Sequence, residues 1–517
     1  MSRFKQTAKG LIRRAGGRGG IGVMTVAIVI ALLVILNVIV YALGSKYSWY
    51  LYTAPRYEHT IGESSETFFE DLDQGRELKI RFCMNEEDLA GDSVFRLVLA
   101  TARQFEEKFD FISVDFINIV TLFDVKTKTD YQKDIERYKY GAAPEKDAEN
   151  NPIKRYNVTE KSVVFDAGGN DYTVVNLQSF FLLDSQQYVT GYDGERVMSA
   201  LIHRTMADER PIACFTRGHG ETSSELLYNM LICAGYEIGT ADLTNGKIEL
   251  MTAKTPADMS LSKVSLLVIS NPLYDFETGA ADSGVVSDIQ RLEAFTEAGG
   301  TVFAVLDPLV TELPHLNAYF AEWGLSRREG TVRDMLNSLS SDGYAVRTSF
   351  SSSEAGRAIR DRIRAFSDAD VVLKRAAAID LTETAGVTAF PLLSVGGTAS
   401  IYADGEKVDG AGGYTVAAYA KKNDGGAGVF LVSSVYMTST DAIRTNGYAN
   451  ADFIYAVLEY TDGASVPLGT TVMMIETETL EGVTRGVIRL TLAILFAVIP
   501  AAVVTVGAVV RTKRKNR

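Results

Sequence analysis

Cysteine and histidine are scarce in this chain, with three cysteines and four histidines among 517 residues. Cys83, Cys214 and Cys233 are odd in number, form no CxxC pair and each lie within an apolar pattern, so they read as buried thiols rather than a disulfide framework. His59, His203, His219 and His315 are too scattered to give a metal-ligand spacing, and no metal or other cofactor is expected. GxSxG, Walker A and GxGxxG are missing from any strand-to-helix setting. The chain cannot by itself be an ATPase. Basic charge is short in the middle of the sequence. Arg3, Lys5, Lys9, Arg13, Arg14 and Arg18 crowd one end and Arg511, Lys513, Arg514, Lys515 and Arg517 the other, so the net charge of −13 understates how acidic the middle is. An acidic middle does not track along nucleic acid, and no nucleic-acid partner is expected.

What is present fits folded domains. Hydrophobic residues make up 46% and charged residues 23%, which excludes a disordered or collagen-like chain. Two apolar runs stand just inside the basic ends, Ile21 to Ser45 and Leu490 to Val510, the second within 487–510 with Arg489 at its edge. At about 1.5 Å per residue each is long enough to cross about 30 Å of hydrocarbon. They predict two transmembrane helices. The cationic tails 1–20 and 511–517 then belong on the cytoplasmic side, giving a two-pass plasma or inner membrane protein whose bulk lies outside the cytoplasm. The alternative for the first run is a cleaved signal peptide, with Ala42-Leu43-Gly44 as a small-x-small site, although the run exceeds the usual length.

Between the spans, residues 46–75 are a juxtamembrane segment with Trp49, Tyr50 and Tyr52 suited to an interface. In 76–205, Leu78 to Cys83 alternates as a strand, Val94 to Phe109 carries a helical stripe and Ile112 to Ile119 alternates again. Strand, helix, strand implies a parallel βαβ pair, resembling a thioredoxin-like half-fold. Residues 124–160 read as a solvated excursion, and Val163 to Phe165 with Thr173 to Val175 as a hairpin. In 206–330, Ile212 to Thr216 begins an α/β domain. A helix follows with Thr222 and Glu225 as its capping box, and then strands at Tyr236 to Leu243, Val264 to Ser270 and Thr301 to Leu306. This is an open, doubly wound, flavodoxin-like parallel sheet. Residues 331–480 form a second α/β, strand-rich module. The expected class is therefore α/β, with these domains flanked by N- and C-terminal transmembrane helices.

The chemistry-bearing candidate is the loop Gly218-His219-Gly220-Glu221, with Asp307 from another strand end. A loop at a strand's carboxyl end, opening onto a helix N-terminus, is where doubly wound folds bind ligands and anions. His219 and Glu221 there have the types of an acid/base pair. The plainer reading is a tight turn through Gly218 and Gly220, with His219 a surface or capping group and Glu221 complementing the helix dipole. A nucleophile is missing from the loop, so no catalytic residue is assigned.

Cys214 to Glu221, read CFTRGHGE, resembles a signature of the GldG-like family, auxiliary proteins of uncharacterised ABC transport systems first linked to gliding motility. Gly194 to Ile202, Ala298 to Pro308, Val429 to Ser434 with Asn450 to Phe453, and Ile499 to Arg511 resemble further motifs of that family in the same order. The resemblance implies a non-catalytic, membrane-anchored subunit beside an ABC permease and a separate cytoplasmic ATPase, its outer domains binding a substrate or an envelope partner. It also implies a middle domain similar to an amidotransferase-like, GIFT-type fold without the catalytic residues. Two alternatives stand beside it: a cell-envelope hydrolase or transferase using His219 and Glu221, and a purely structural tether.

Overall fold

The computed structural model describes residues 61–475, apart from isolated ones and twos and the stretches 120–127, 142–151, 153–155, 184–187, 208–209, 252–254, 279–285 and 467–469. Among the described residues no helix is long and apolar enough to cross a membrane. The longest have 13 residues, a rise of about 20 Å at 1.5 Å per residue, short of a bilayer's apolar core. The expectation of an α/β protein flanked by transmembrane helices is corrected to mixed α/β. The two-pass membrane placement, with both termini cytoplasmic, rested on those helices and is corrected with it. The runs 21–45 and 487–510, the juxtamembrane aromatics and the tails lie outside the described residues. The gliding-motility and transport associations gain no support from the fold.

Two sheets organise the described chain. The smaller contains Leu78–Phe82 (β1), Ile112–Phe116 (β2), Ser162–Asp166 (β3) and Tyr172–Asn176 (β4) in the order β2-β1-β3-β4. β1 and β2 are parallel, while β3 runs antiparallel to both β1 and β4. Arg96–Lys108 (α1) joins the parallel pair and buries Val98, Thr101, Ala102 and Phe105 of the stripe read from the sequence, together with Leu99, which that stripe left out, while Val94 and Leu97 are only partly buried. The segment expected to be a solvated excursion holds a second helix, Lys128–Tyr140 (α2). The charge run hid its inner face. Ile135 and Tyr138 are buried, Tyr138 Oη donates to Asp166 Oδ2 at 2.5 Å, and Arg81 Nη1 reaches Asp134 Oδ2 at 2.6 Å. Gly194–Met206 (α3) closes the unit. Gly194 is obligatory because any Cβ there would collide with the Tyr192 ring, and Glu195 accepts from Gly62 N and Ser65 Oγ, holding that upstream segment.

The larger sheet has nine strands and runs across residue 330. Its members are Ile212–Arg217 (β5), Glu237–Asp242 (β6), Lys247–Leu250 (β7), Leu266–Ser270 (β8), Thr301–Val305 (β9), Ser349–Phe350 (β10), Val387–Ser394 (β11), Thr415–Lys422 (β12) and Gly428–Val432 (β13). The order is β10-β11-β12-β13-β9-β8-β5-β6-β7. Five adjacent strands, β6-β5-β8-β9-β13, are parallel. Ranked by chain position they run 2-1-3-4-5, a doubly wound order whose switch point lies between β5 and β8.

Both faces are covered, as near-continuous apolar strands require. Leu266 and Val268 face one core with Glu225–Cys233 (α4), Glu354–Arg364 (α7) and Asn450–Asp462 (α8). Leu267 and Ile269 face the other with Asp288–Glu297 (α5) and Pro314–Glu322 (α6). The capping residue of α4 is Ser224, whose side chain accepts from Leu226 N, and not Thr222 as the sequence spacing suggests. At the first residue of α8, Asn450 clamps both backbone groups of Val372, donating to its carbonyl at 2.8 Å and accepting from its N–H at 3.0 Å.

Candidate functional site

β5 delivers the Gly218 to Glu221 loop at its carboxyl end, directly at the switch point. Gly218 and Gly220 hold φ of 116° and 71°, left-handed backbone that favours glycine. At Gly220 a Cβ would also stand 3.0 Å from the Tyr274 ring, so the loop after β8 fixes the residue type a second time. His219 carbonyl receives Leu273 N at 2.8 Å and Tyr274 N at 2.9 Å, tying the two switch-point loops together.

The His219 ring is 3% exposed and fully engaged. Nδ1 lies 3.1 Å from Glu221 Oε1 and Nε2 lies 2.9 Å from Asp288 Oδ2. Its lower face stacks on Phe276 with centroids 3.9 Å apart and planes 5° from parallel. Glu221 Oε2 also accepts the His219 backbone N–H at 2.8 Å, and Asp288 Oδ2 the Glu277 N–H at 3.0 Å. Ionised carboxylates only accept, so two of them flanking the ring favour its doubly protonated form, which donates from both nitrogens. Burial opposes that charge, but the hydrogen bonds and charges of Glu221 and Asp288 outweigh it and raise the pKa of His219. Burial likewise pushes the Glu221 carboxyl up, and the bonds from His219 and the backbone outweigh it in the other direction, leaving its pKa lowered.

The structure thus brings Gly218, His219, Gly220 and Glu221 into one cluster and leaves Asp307 out of it. Asp307 Oδ1 accepts from Leu309 N at 2.9 Å and its carbonyl from Arg327 Nη1 at 2.9 Å, an Asx-type turn at the end of β9. It lines a separate hollow of about 420 Å³ with Lys374, Arg375 and Tyr436. Asp288 and Phe276 are the members that sequence reasoning missed. The signal for Asp288 was Ser287 with Gln290, a capping box that starts α5 and sets an acid in its first turn.

Chemically the cluster is a latch. Both nitrogens of its ring are engaged by carboxylates, and the residue is buried. All three cysteines are free, with Cys83 and Cys214 buried and Cys233 partly so, and burial holds each thiol up at about 12, far from a reactive thiolate. Among the described residues, no group of three or more His, Cys, Asp or Glu stands ready to hold a metal ion.

No family model matches the chain, and no curated protein matches it. Among solved structures, the mmIFT52 N-terminal domain is similar at 15% identity and a TM-score of 0.34, over 48% of this chain and 96% of that one. The cytoplasmic protein STM3548 from Salmonella typhimurium is similar at 11% identity and a TM-score of 0.31, over 48% of this chain and 98% of its own. Agd3, a carbohydrate deacetylase, is similar at 14% identity and a TM-score of 0.27, over 49% of this chain and 32% of its own. Likenesses at these scores decide nothing about the function of this chain.

Proposed function

We propose that the chain is a non-catalytic auxiliary subunit of an ABC-type transport system, acting beside a permease subunit and a separate ATPase, with its α/β body as the part that receives a ligand or partner. The class comes from the ordered set of motifs between Gly194 and Phe453 that resemble the GldG-like family. The observation that carries the non-catalytic part is the closed state of the switch-point loop. There a doubly wound fold runs chemistry if it runs any, and His219, 3% exposed, has both ring nitrogens engaged, one by Glu221 and one by Asp288.

Affinity purification of the full chain from its own cells is expected to recover a permease and an ATPase in fixed proportion. Recovery of the chain without either overturns the assignment. The non-catalytic part is checked separately by assaying the purified full chain on ester, amide and glycoside substrates. No turnover is expected, and hydrolysis that disappears in His219→Gln would establish the enzyme reading instead.

A further inference from the structure

A second place in the molecule has the opposite character to the latch. Between α3, α4 and α8 lies a cleft of about 810 Å³, within the size range of sites for small organic ligands. Phe181, Leu182, Val197, Met230 and Ile232 give it apolar walls. Its charged lining residues include Asp193, Arg196 and Asp452, which stand together.

The Arg196 side chain is 7% exposed and bonded to the chain itself, with Nε to Thr470 Oγ1 at 2.9 Å and Nη2 to the Thr470 carbonyl at 3.1 Å. The two carboxylates stand farther off. Asp193 Oδ1 is 3.5 Å from Nε and Asp452 Oδ1 is 3.6 Å from Nη2, ion pairs but beyond hydrogen-bond distance. Each Oδ1 is buried and receives no hydrogen bond. Buried polar atoms nearly always have a donor, so two such oxygens flanking one guanidinium and lining one cleft mark where donors belong. Charge then selects the donor. Two carboxylates against one guanidinium leave this group negative, and among the other charged lining residues Glu225 offsets Arg444.

We propose that this cleft binds a small organic ligand carrying a primary ammonium group on an apolar body, with the ammonium hydrogens donated to Asp193 and Asp452. An ammonium brings three donors and no acceptor, which suits this pair of acceptors, and the apolar walls take the remainder of the ligand. The cleft is separate from the His219 latch, and the proposal holds whether or not the ABC-type assignment does.

Isothermal titration calorimetry on the full chain tests it, with n-hexylamine, leucinamide and 2-phenylethylamine as probes and n-hexanol as the neutral control. The three amines distinguish an alkyl amine, a peptide amino terminus and an aryl-alkyl amine as the natural source. At least one amine is expected to bind one-to-one and about tenfold or more tighter than n-hexanol, and Asp452→Asn to weaken it by about tenfold or more. Failure of every amine to bind, equal binding of n-hexanol, or wild-type affinity in a folded Asp452→Asn overturns the proposal. The amine-to-alcohol contrast is read on the wild-type chain, so a variant that fails to fold leaves the test intact.

Discussion

His219 at the switch point and Asp193 in the cleft both have raised pKa values, and the same direction means opposite things. For His219 burial lowers the value, and the bonds and charges of Glu221 and Asp288 overcome it, so the folded state prefers the charged ring. For Asp193 burial raises the value to about 6, against Arg196 and with Asp452 and Glu195 adding to the rise, so the folded state penalises the charged carboxylate. One region uses its charges to hold the fold. The other carries a charge at a cost to the fold.

The comparison breaks most sharply at His219. Replacing it by Ala leaves Glu221 and Asp288, with side chains 8% and 4% exposed, facing an emptied ring site without their shared cation. Removing one partner of such a buried cluster is expected to destabilise by about 3–5 kcal/mol, read as a lower denaturant midpoint at neutral pH. A loss below about 1 kcal/mol would mean that the carboxylates rehydrate and that the loop is open rather than latched.

How much of this was legible in the sequence follows from the same contrast. The apolar runs of β8 and β9 announced buried parallel strands, and the short strand before Gly218 placed the loop at a carboxyl edge, whereas β13, read as part of a separate module, joins the same parallel sheet. The glycines of the loop stand out as a motif because each answers a local geometric demand. The third member of the latch was not legible, since Asp288 meets His219 across 69 residues and only the strand order brings α5 beside β5. The cleft was less legible still. Asp193 and Arg196 stand at the start of α3, far along the chain from Asp452 on α8, and nothing in their spacing suggests a site. Charge misled once, at α2, where Arg137 and Tyr138 turn inward to bond Asp166 in a segment that reads as solvated surface. Hydropathy led to the two membrane spans, the expectation corrected above.

A smaller effect sharpens the account of the latch. A histidine whose folded pKa lies above its ordinary 6.5 contributes stability that is complete below 6.5 and disappears as pH rises through the raised value. A glutamate whose folded pKa lies below its ordinary 4.5 contributes stability that is present above 4.5 and disappears as pH falls through the lowered value. The latch is therefore strongest between about pH 4.5 and 6.5 and weakens on the alkaline side. Denaturant midpoints measured from pH 5 to 9 are expected to decline on that side in the wild type and to decline less in His219→Gln. Equal slopes would place the titrating group elsewhere.

The smallest expected change in stability is at Asp452, and its smallness is the informative part. Asp452 is 22% exposed, stands 3.6 Å from Arg196 and has an Oδ1 with no hydrogen bond, while its charge also raises the pKa of Asp193. Asp452→Asn removes a loose ion pair and a repulsion together, so stability is expected to move by less than about 1 kcal/mol in either direction. Two residues earlier on the same helix, Asn450 is fully buried with both ends of its amide bonded to Val372, so the helix itself is fixed whatever stands at 452. A variant that keeps its denaturant midpoint and loses amine binding separates recognition from folding within one turn of α8. A large drop in midpoint would instead make the Asp193, Arg196 and Asp452 group a second latch, and the difference between the two regions would vanish.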